Sequence, residues 1–341
     1  MAIWAQSDTA LGKLLLSIVF KPAMLDILAI TGPIYITILI GYLTTRKGLF
    51  AKPDMRVFGK FVFNLALPAM LFNAVSQRKI GDIFNGNYVL VYLLGSLLTL
   101  LLGWLWCRRF AKMDSLSSTF YVMGMTCSNS GFVGFPILVL IMAPVAGVAL
   151  AMNMIVENFV IIPFLLALAD RSQNKSASWL QAVADSLKKL VANPLVIGLV
   201  LGSLVSLSGW QMPAAISRVI NLFAMSSSAL SLFVIGGTLV GLPLKGLSRR
   251  VLPITVGKLL VHPLAMFIVM ALLTWLGLPQ LDAPVRAAAL LMAAMPMMGT
   301  YIVLTQIYGK EDISAAALLI TTATSFFTLS ALLWLLKPTL T

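Results

Sequence analysis

The chain has 341 residues, 60% of them hydrophobic and 10% charged, with a mean hydropathy of +0.99 and a formal net charge of +13. A soluble domain carries roughly 25% charged residues, so this is the composition of an integral membrane protein, and the positive charge reports loop lysines and arginines, not a nucleic-acid surface. Two cysteines, Cys107 and Cys127, and a single histidine leave no disulfide framework and no zinc centre, so no metal or other cofactor is expected, and no HExxH, acidic pair or Ser/Lys arrangement marks an enzyme.

Residues 1–24 hold an apolar run from Leu14 to Phe20 between Lys13 and Lys21, too short to span and without a small-residue cleavage site. An interfacial amphipathic segment is expected there. Ten spans come after it, at 25–45, 57–76, 88–107, 117–142, 146–169, 193–209, 216–241, 252–276, 285–307 and 312–336. The longest polar connection, 170–192, divides them into five at 25–169 and five at 193–336. Connections after odd-numbered spans carry 15 Lys and Arg, against 7 on the other side, which puts the odd connections and the 170–192 linker in the cytoplasm and both termini in the periplasm. An odd number of spans per half makes the second half enter from the opposite face, so two halves of one fold would form an inverted repeat. At an offset of 168 residues Asp114 meets Asp282, Gly131 meets Gly299, Phe159 meets Phe327 and Leu165 meets Leu333.

Span four is interrupted by Thr126-Cys127-Ser128-Asn129-Ser130-Gly131-Phe132-Val133-Gly134-Phe135-Pro136. Pro136 has no N–H and blocks the carbonyl of Phe132, so the second half of a broken helix is expected to begin near Pro136 and to aim N–H groups at an anion. The alternative is a proline-kinked helix in which Ser and Thr serve packing. Span nine carries a second interruption, Ala294-Met295-Pro296-Met297-Met298-Gly299-Thr300-Tyr301, where Pro296 frees the carbonyl of Met292 and Gly299 weakens the helix beyond it. Paired interruptions in corresponding spans mark a transporter site.

Three further groups stand inside spans. Glu157 lies in the middle of span five with Asn153 four residues before it on the same face and Asn158 beside it. Lys258 and His262 share a face of span eight. Ionisable groups at membrane depth are functional candidates by default. Lys258 would attract carboxylates or pair with Glu157, and Glu157 has the alternative of a protonated structural residue, as His262 has that of a packing residue before Pro263. Lys60, near the end of span two, is read as snorkelling. The 18 methionines, Met297 among them, read as packing, not as copper ligands.

These motifs together resemble the auxin efflux carrier family, which includes plant exporters and bacterial malonate- and malate-type permeases. The resemblance runs from about Leu25 to Leu336. It is carried by Pro33 with Gly41-Tyr42, by Asn64-Leu65-Ala66-Leu67-Pro68, and by Ser128-Asn129-Ser130-Gly131 through Gly134-Phe135-Pro136. Asn193-Pro194-Leu195, Lys258 through Leu264, and Ala294-Met295-Pro296 complete it. It implies an all-α membrane fold of ten helices in two inverted five-helix repeats, with helices four and nine broken and crossing at the midplane. It also implies carboxylate binding at that crossing and elevator-like movement of six spans against a scaffold of spans one, two, six and seven. Ser128 stands where plant members have a proline, and their long central loop is missing, which points away from auxin as substrate.

The expectation is therefore a secondary transporter of small organic anions, mono- or dicarboxylates, in a bacterial inner membrane. Ser128, Asn129, Ser130, Gly131, Pro136, Pro296, Met297, Gly299 and Lys258 are its candidate substrate residues, and Glu157, His262 and Asn153 its candidate coupling residues, with Glu157, His262 or both exchanging the proton. Its partners would be the organic anion, the lipid bilayer and a second copy in a homodimer, without nucleic acid. A sodium-coupled symporter of the bile-acid type is the alternative, with Asn129, Ser130, Asn153 and Glu157 as oxygen ligands; a transporter-derived sensor is a further one that lacks an output domain. The charge bias is tested by cysteines placed within 171–188: they should resist membrane-impermeant thiol reagents in intact cells, and ready labelling would reverse the orientation.

Overall fold

A computed structural model describes residues 22–77, 85–173, 191–242, 248–306 and 308–340. The interfacial segment expected at 1–24 lies outside these residues except for its last three, which already belong to the first helix, and so does most of the linker expected at 170–192. The described residues are helical throughout, with α1 (Pro22–Arg46), α2 (Lys52–Ser76), α3 (Gly86–Phe110), α4 (Ser115–Thr126) and α5 (Ser130–Ser172). The second half of the chain supplies α6 (Pro194–Ser208), α7 (Ala214–Thr238), α8 (Arg250–Trp275), α9 (Ala283–Ala294), α10 (Tyr301–Gln306) and α11 (Glu311–Leu336). Among the described residues six of these, α2, α3, α5, α7, α8 and α11, are long and apolar enough to cross a membrane, and α6 and α9 are shorter apolar helices.

Local chemistry sets the ends. The side chains of Asn85, Asp114 and Asn193 accept from Tyr88 N at 2.9 Å, Ser117 N at 2.8 Å and Leu195 N at 2.9 Å, capping α3, α4 and α6. Pro194 occupies the first turn of α6, where its missing N–H has no role to fill. In α5 the residue Met142 leaves the helical region, at φ −148° and ψ 59°, two residues before Pro144, and this kink divides the helix into 130–141 and 143–172.

The helices pack in two groups. α7 lies mainly on α1 and α2, with α6 on α2, while α3, α4, α5, α8, α9 and α11 pack on one another. Between the groups, α11 touches α1, and α5 touches α1, α2 and α7. Small residues bring backbones together inside the first group. A Cβ on Gly236 of α7 would stand 1.8 Å from the Ile38 carbonyl oxygen of α1, and one on Gly198 of α6 would stand 2.6 Å from that of Pro68 in α2. Without an apolar-versus-water contrast between helices, such close approach and polar contacts are what hold a bundle in lipid. Large apolar side chains such as Leu101, Phe267, Leu272 and Phe327 cover the outside.

These contacts make a direct prediction. Gly236→Ala should lower stability by about 1–3 kcal/mol, because the neighbour is backbone and has nowhere to go. Gly32→Ala on α1, with open space around it, should be neutral or stabilising by up to about 1 kcal/mol. Melting temperatures in detergent compare the two; equal losses would mean that α1 and α7 are not in backbone contact.

Candidate functional site

The chain is broken twice, and the two breaks meet. α4 ends at Thr126, Cys127 is extended at φ −73° and ψ 118°, and helix resumes at Ser130. α9 ends at Ala294, and Met295 is extended at φ −62° and ψ 152°, the conformation that a following proline imposes. Helix resumes only at Tyr301. The Asn129 N–H donates to the Pro296 carbonyl at 2.8 Å and the Met298 N–H to the Cys127 carbonyl at 3.2 Å, an antiparallel bridge centred on Ser128 and Met297. Each break thus satisfies backbone groups of the other, as it must where no water is available.

The first break lies earlier than the sequence pattern implied. Helix restarts at Ser130, not near Pro136, which sits well inside the resumed helix. Asn129 explains the position. Its Oδ1 accepts from Phe132 N at 3.2 Å and its carbonyl accepts from Val133 N and Gly134 N, so this one residue caps the new helix. The missing N–H of Pro136 is absorbed by a π-helical turn, Ser130–Gly134, ending two residues before it. The same relation recurs at Val62–Ala66 before Pro68, Val156–Ile161 before Pro163 and Gly257–Val261 before Pro263. Glu157 and Lys258 both stand in these π-helical turns, a form enriched at functional sites.

A buried polar network surrounds the bridge. Glu157 Oε1 accepts from the Ser128 N–H and from the Tyr92 hydroxyl, both at 3.0 Å. Lys258 Nζ donates to Ser128 Oγ at 2.8 Å and to the Ala293 carbonyl at 2.5 Å, and contacts His262 Nδ1 at 2.9 Å. His262 Nε2 lies 3.3 Å from Ser96 Oγ. On the other side Tyr88 donates to Asn153 Oδ1 at 2.8 Å, and Asn153 Nδ2 donates to Ser130 Oγ at 3.2 Å. Glu157 and Lys258 therefore hold two ends of Ser128, its amide and its hydroxyl. The Ala293 carbonyl belongs to the last turn of α9, where carbonyls lack helical partners and a cation is favoured.

Of the residues singled out from sequence, Ser128, Asn129, Ser130, Asn153, Glu157, Lys258, His262, Pro296 and Met297 come together in the bridge and its network. Lys258 is 0% exposed and has three protein atoms within hydrogen-bond distance, two of them oxygens and the third His262 Nδ1, an acceptor in the tautomer protonated at Nε2. Gly131 is half-buried, with Leu67 of α2 as the nearest neighbour of its Cβ position, and Gly299 is exposed with open space around it, as is Thr300 beside it. Sequence reasoning missed Tyr88, Tyr92 and Ser96. Their signal was a spacing of four, which places three polar groups on one face of an otherwise apolar α3. The importance of Ser128 leads to a prediction: Ser128→Ala leaves one N–H of a buried ammonium without its acceptor and should lower stability by about 1.5–3 kcal/mol. An unchanged melting temperature would remove Ser128 Oγ from the network.

Comparison with known proteins gives the family. The model of the membrane transport protein family (Mem_trans) matches residues 29–335. A protein of Rhizobium meliloti (strain 1021) described as "Putative malonate transporter" is 26% identical over 92% of this chain and 97% of its own length. An Escherichia coli (strain K12) protein described as "Uncharacterized transporter YfdV" is 29% identical over 70% of this chain and 76% of its own. The chain is a multi-pass membrane protein and belongs to the membrane transport protein family, that of the auxin efflux carriers.

Proposed function

We propose that the protein is a secondary transporter of small mono- or dicarboxylates, coupled to protons, that works in the inner membrane of a bacterium. The observation that carries this reading is a helix that begins among buried residues, at Ser130. At the start of α5 the N–H groups of Ser130 and Gly131 precede the first intrahelical donors, and the positive end of the helix dipole falls at the same place. The Asn129 side-chain Nδ2 adds a donor, and half-buried Gly131 has no side chain to cover these groups. Backbone donors at a helix N-terminus suit a carboxylate. The name of the Rhizobium meliloti relative makes malonate the first ligand to try.

Ten crossings in two inverted repeats are part of the same proposal. α4 with 130–141 would form one crossing and α9 with α10 another, each half-helix of 12 residues in α4 and α9 reaching about 18 Å, or somewhat over half of a ~30 Å hydrocarbon core. A shift of 169 residues carries Asn129 to Met298 and Cys127 to Pro296, which exchanges the two bonds of the bridge, one residue from the offset of 168 read in the sequence. The elevator-like movement draws support from the two packing groups. Backbone contacts join α1 to α7 and α6 to α2, and α7 packs on α2, whereas α5 meets α2 through side chains, Gly147 at Ala74 and Gly131 at Leu67. Glu157 and His262, buried on either side of Ser128 and Lys258, are the groups that would exchange a proton during the cycle.

Ligand-induced melting shifts test the site. Wild-type protein should be stabilised by malonate or a related carboxylate. Asn129→Ala should insert normally but bind about 10- to 150-fold more weakly, the equivalent of one hydrogen bond to a charged group. Wild-type affinity in that variant, or no carboxylate response in the wild type, would put the site elsewhere.

A further inference from the structure

Lys258 contacts three atoms, and each of them is what a small cation would seek. Ser128 Oγ at 2.8 Å comes from the first break, the Ala293 carbonyl at 2.5 Å from the last turn of α9 before the second break, and His262 Nδ1 at 2.9 Å from the next turn of α8. For His262 to accept at Nδ1, its proton must sit on Nε2, where Ser96 Oγ lies 3.3 Å away. Glu157 brings a carboxylate to the other side of Ser128. Lone pairs from two broken segments, a helix C-terminus and a nearby carboxylate therefore converge on one point at the crossing. A positive centre there ties α9 to the first break. The point is fully buried, and the side chain that fills it is long enough to reach it from α8.

We propose that the Lys258 ammonium is the resident, non-exchangeable cation of the crossing, so that the protein needs no sodium there. Shortening the side chain then uncovers a site for a free monovalent cation, held by Ser128 Oγ, the Ala293 carbonyl and His262 Nδ1. The cation site stands on the geometry of the crossing alone. Its consequence for coupling, that no sodium ion is carried at this point, rests on the transporter reading above. It leaves the bile-acid-type alternative only the other oxygens, those of Asn129, Ser130, Asn153 and Glu157, as ligands for a sodium ion.

The test is thermal unfolding of purified protein, without substrate, in sodium, ammonium or choline chloride at equal ionic strength. Wild-type protein should melt at one temperature in all three. Lys258→Ala should melt lower in choline and be raised, saturably, by ammonium or sodium, and adding Ser128→Ala should abolish that response. Lys258→Met, which fills the space with an apolar chain, should respond to neither ion. Saturable stabilisation of the wild type by sodium over choline that Ser128→Ala abolishes would overturn the proposal even if no Lys258 variant folds, and so would a folded Lys258→Ala protein indifferent to both cations. These outcomes are separate from failure of the transporter reading, which would appear as a wild type that no carboxylate stabilises.

Discussion

Two backbone hydrogen bonds, Asn129 to Pro296 and Met298 to Cys127, allow this chain to interrupt two helices in the buried interior of an apolar bundle. An unpaired N–H or carbonyl in hydrocarbon costs several kcal/mol, so neither break would be tolerable alone. Brought together, each supplies what the other lacks. Side chains meet further groups around the bridge: the Ser128 amide by Glu157, the end of α9 by Lys258, the Phe132 N–H at the start of α5 by Asn129. Nothing in this arrangement is local in sequence. It requires α3, α4, α5, α8 and α9 to be in place at once, which explains why these helices pack on one another as a group.

Proline has a double part in the design. At Pro296 it opens a helix and sets the residue before it in extended backbone. At Pro68, Pro136, Pro163 and Pro263 the helix continues, and a π-helical turn upstream takes up the missing donor. The extra residue in such a turn shifts the face presented by the rest of the helix. Glu157 and Lys258 owe their positions to two of these turns, and both side chains arrive at Ser128 from different helices.

Much of this was legible in the sequence. Glu157, Asn153, Lys258 and His262 stood out because ionisable and amide groups are rare at membrane depth, and the two interruptions because glycine and proline cluster there. The family motifs pointed to the right relatives. The place of the first break was not legible: Pro136 carries the conspicuous signal, but its effect is absorbed by a π-helical turn, while the break itself depends on how well Asn129 caps the helix beyond it. Nor did the sequence reveal that Lys258 donates to Ser128 and Ala293, since both are distant in the chain and meet it only through the crossing. Tyr88 and Tyr92 were passed over because aromatic residues in an apolar helix look like packing, and their hydroxyls matter only once Asn153 and Glu157 are opposite.

The bridge also constrains the length of the chain. Surface loops accept insertions readily because nothing fixes their register. The stretches 127–129 and 295–300 lie between helix ends and are pinned to each other at a single residue pair. One residue added to 127–129 would either move Ser128 away from Glu157 and Lys258 together or rotate the whole of α5 about its axis by about 100°. Side chains within these stretches are exchangeable in principle; their number of residues is not. For this protein an insertion at the crossing is a more severe lesion than a substitution there, the reverse of what holds on its surface.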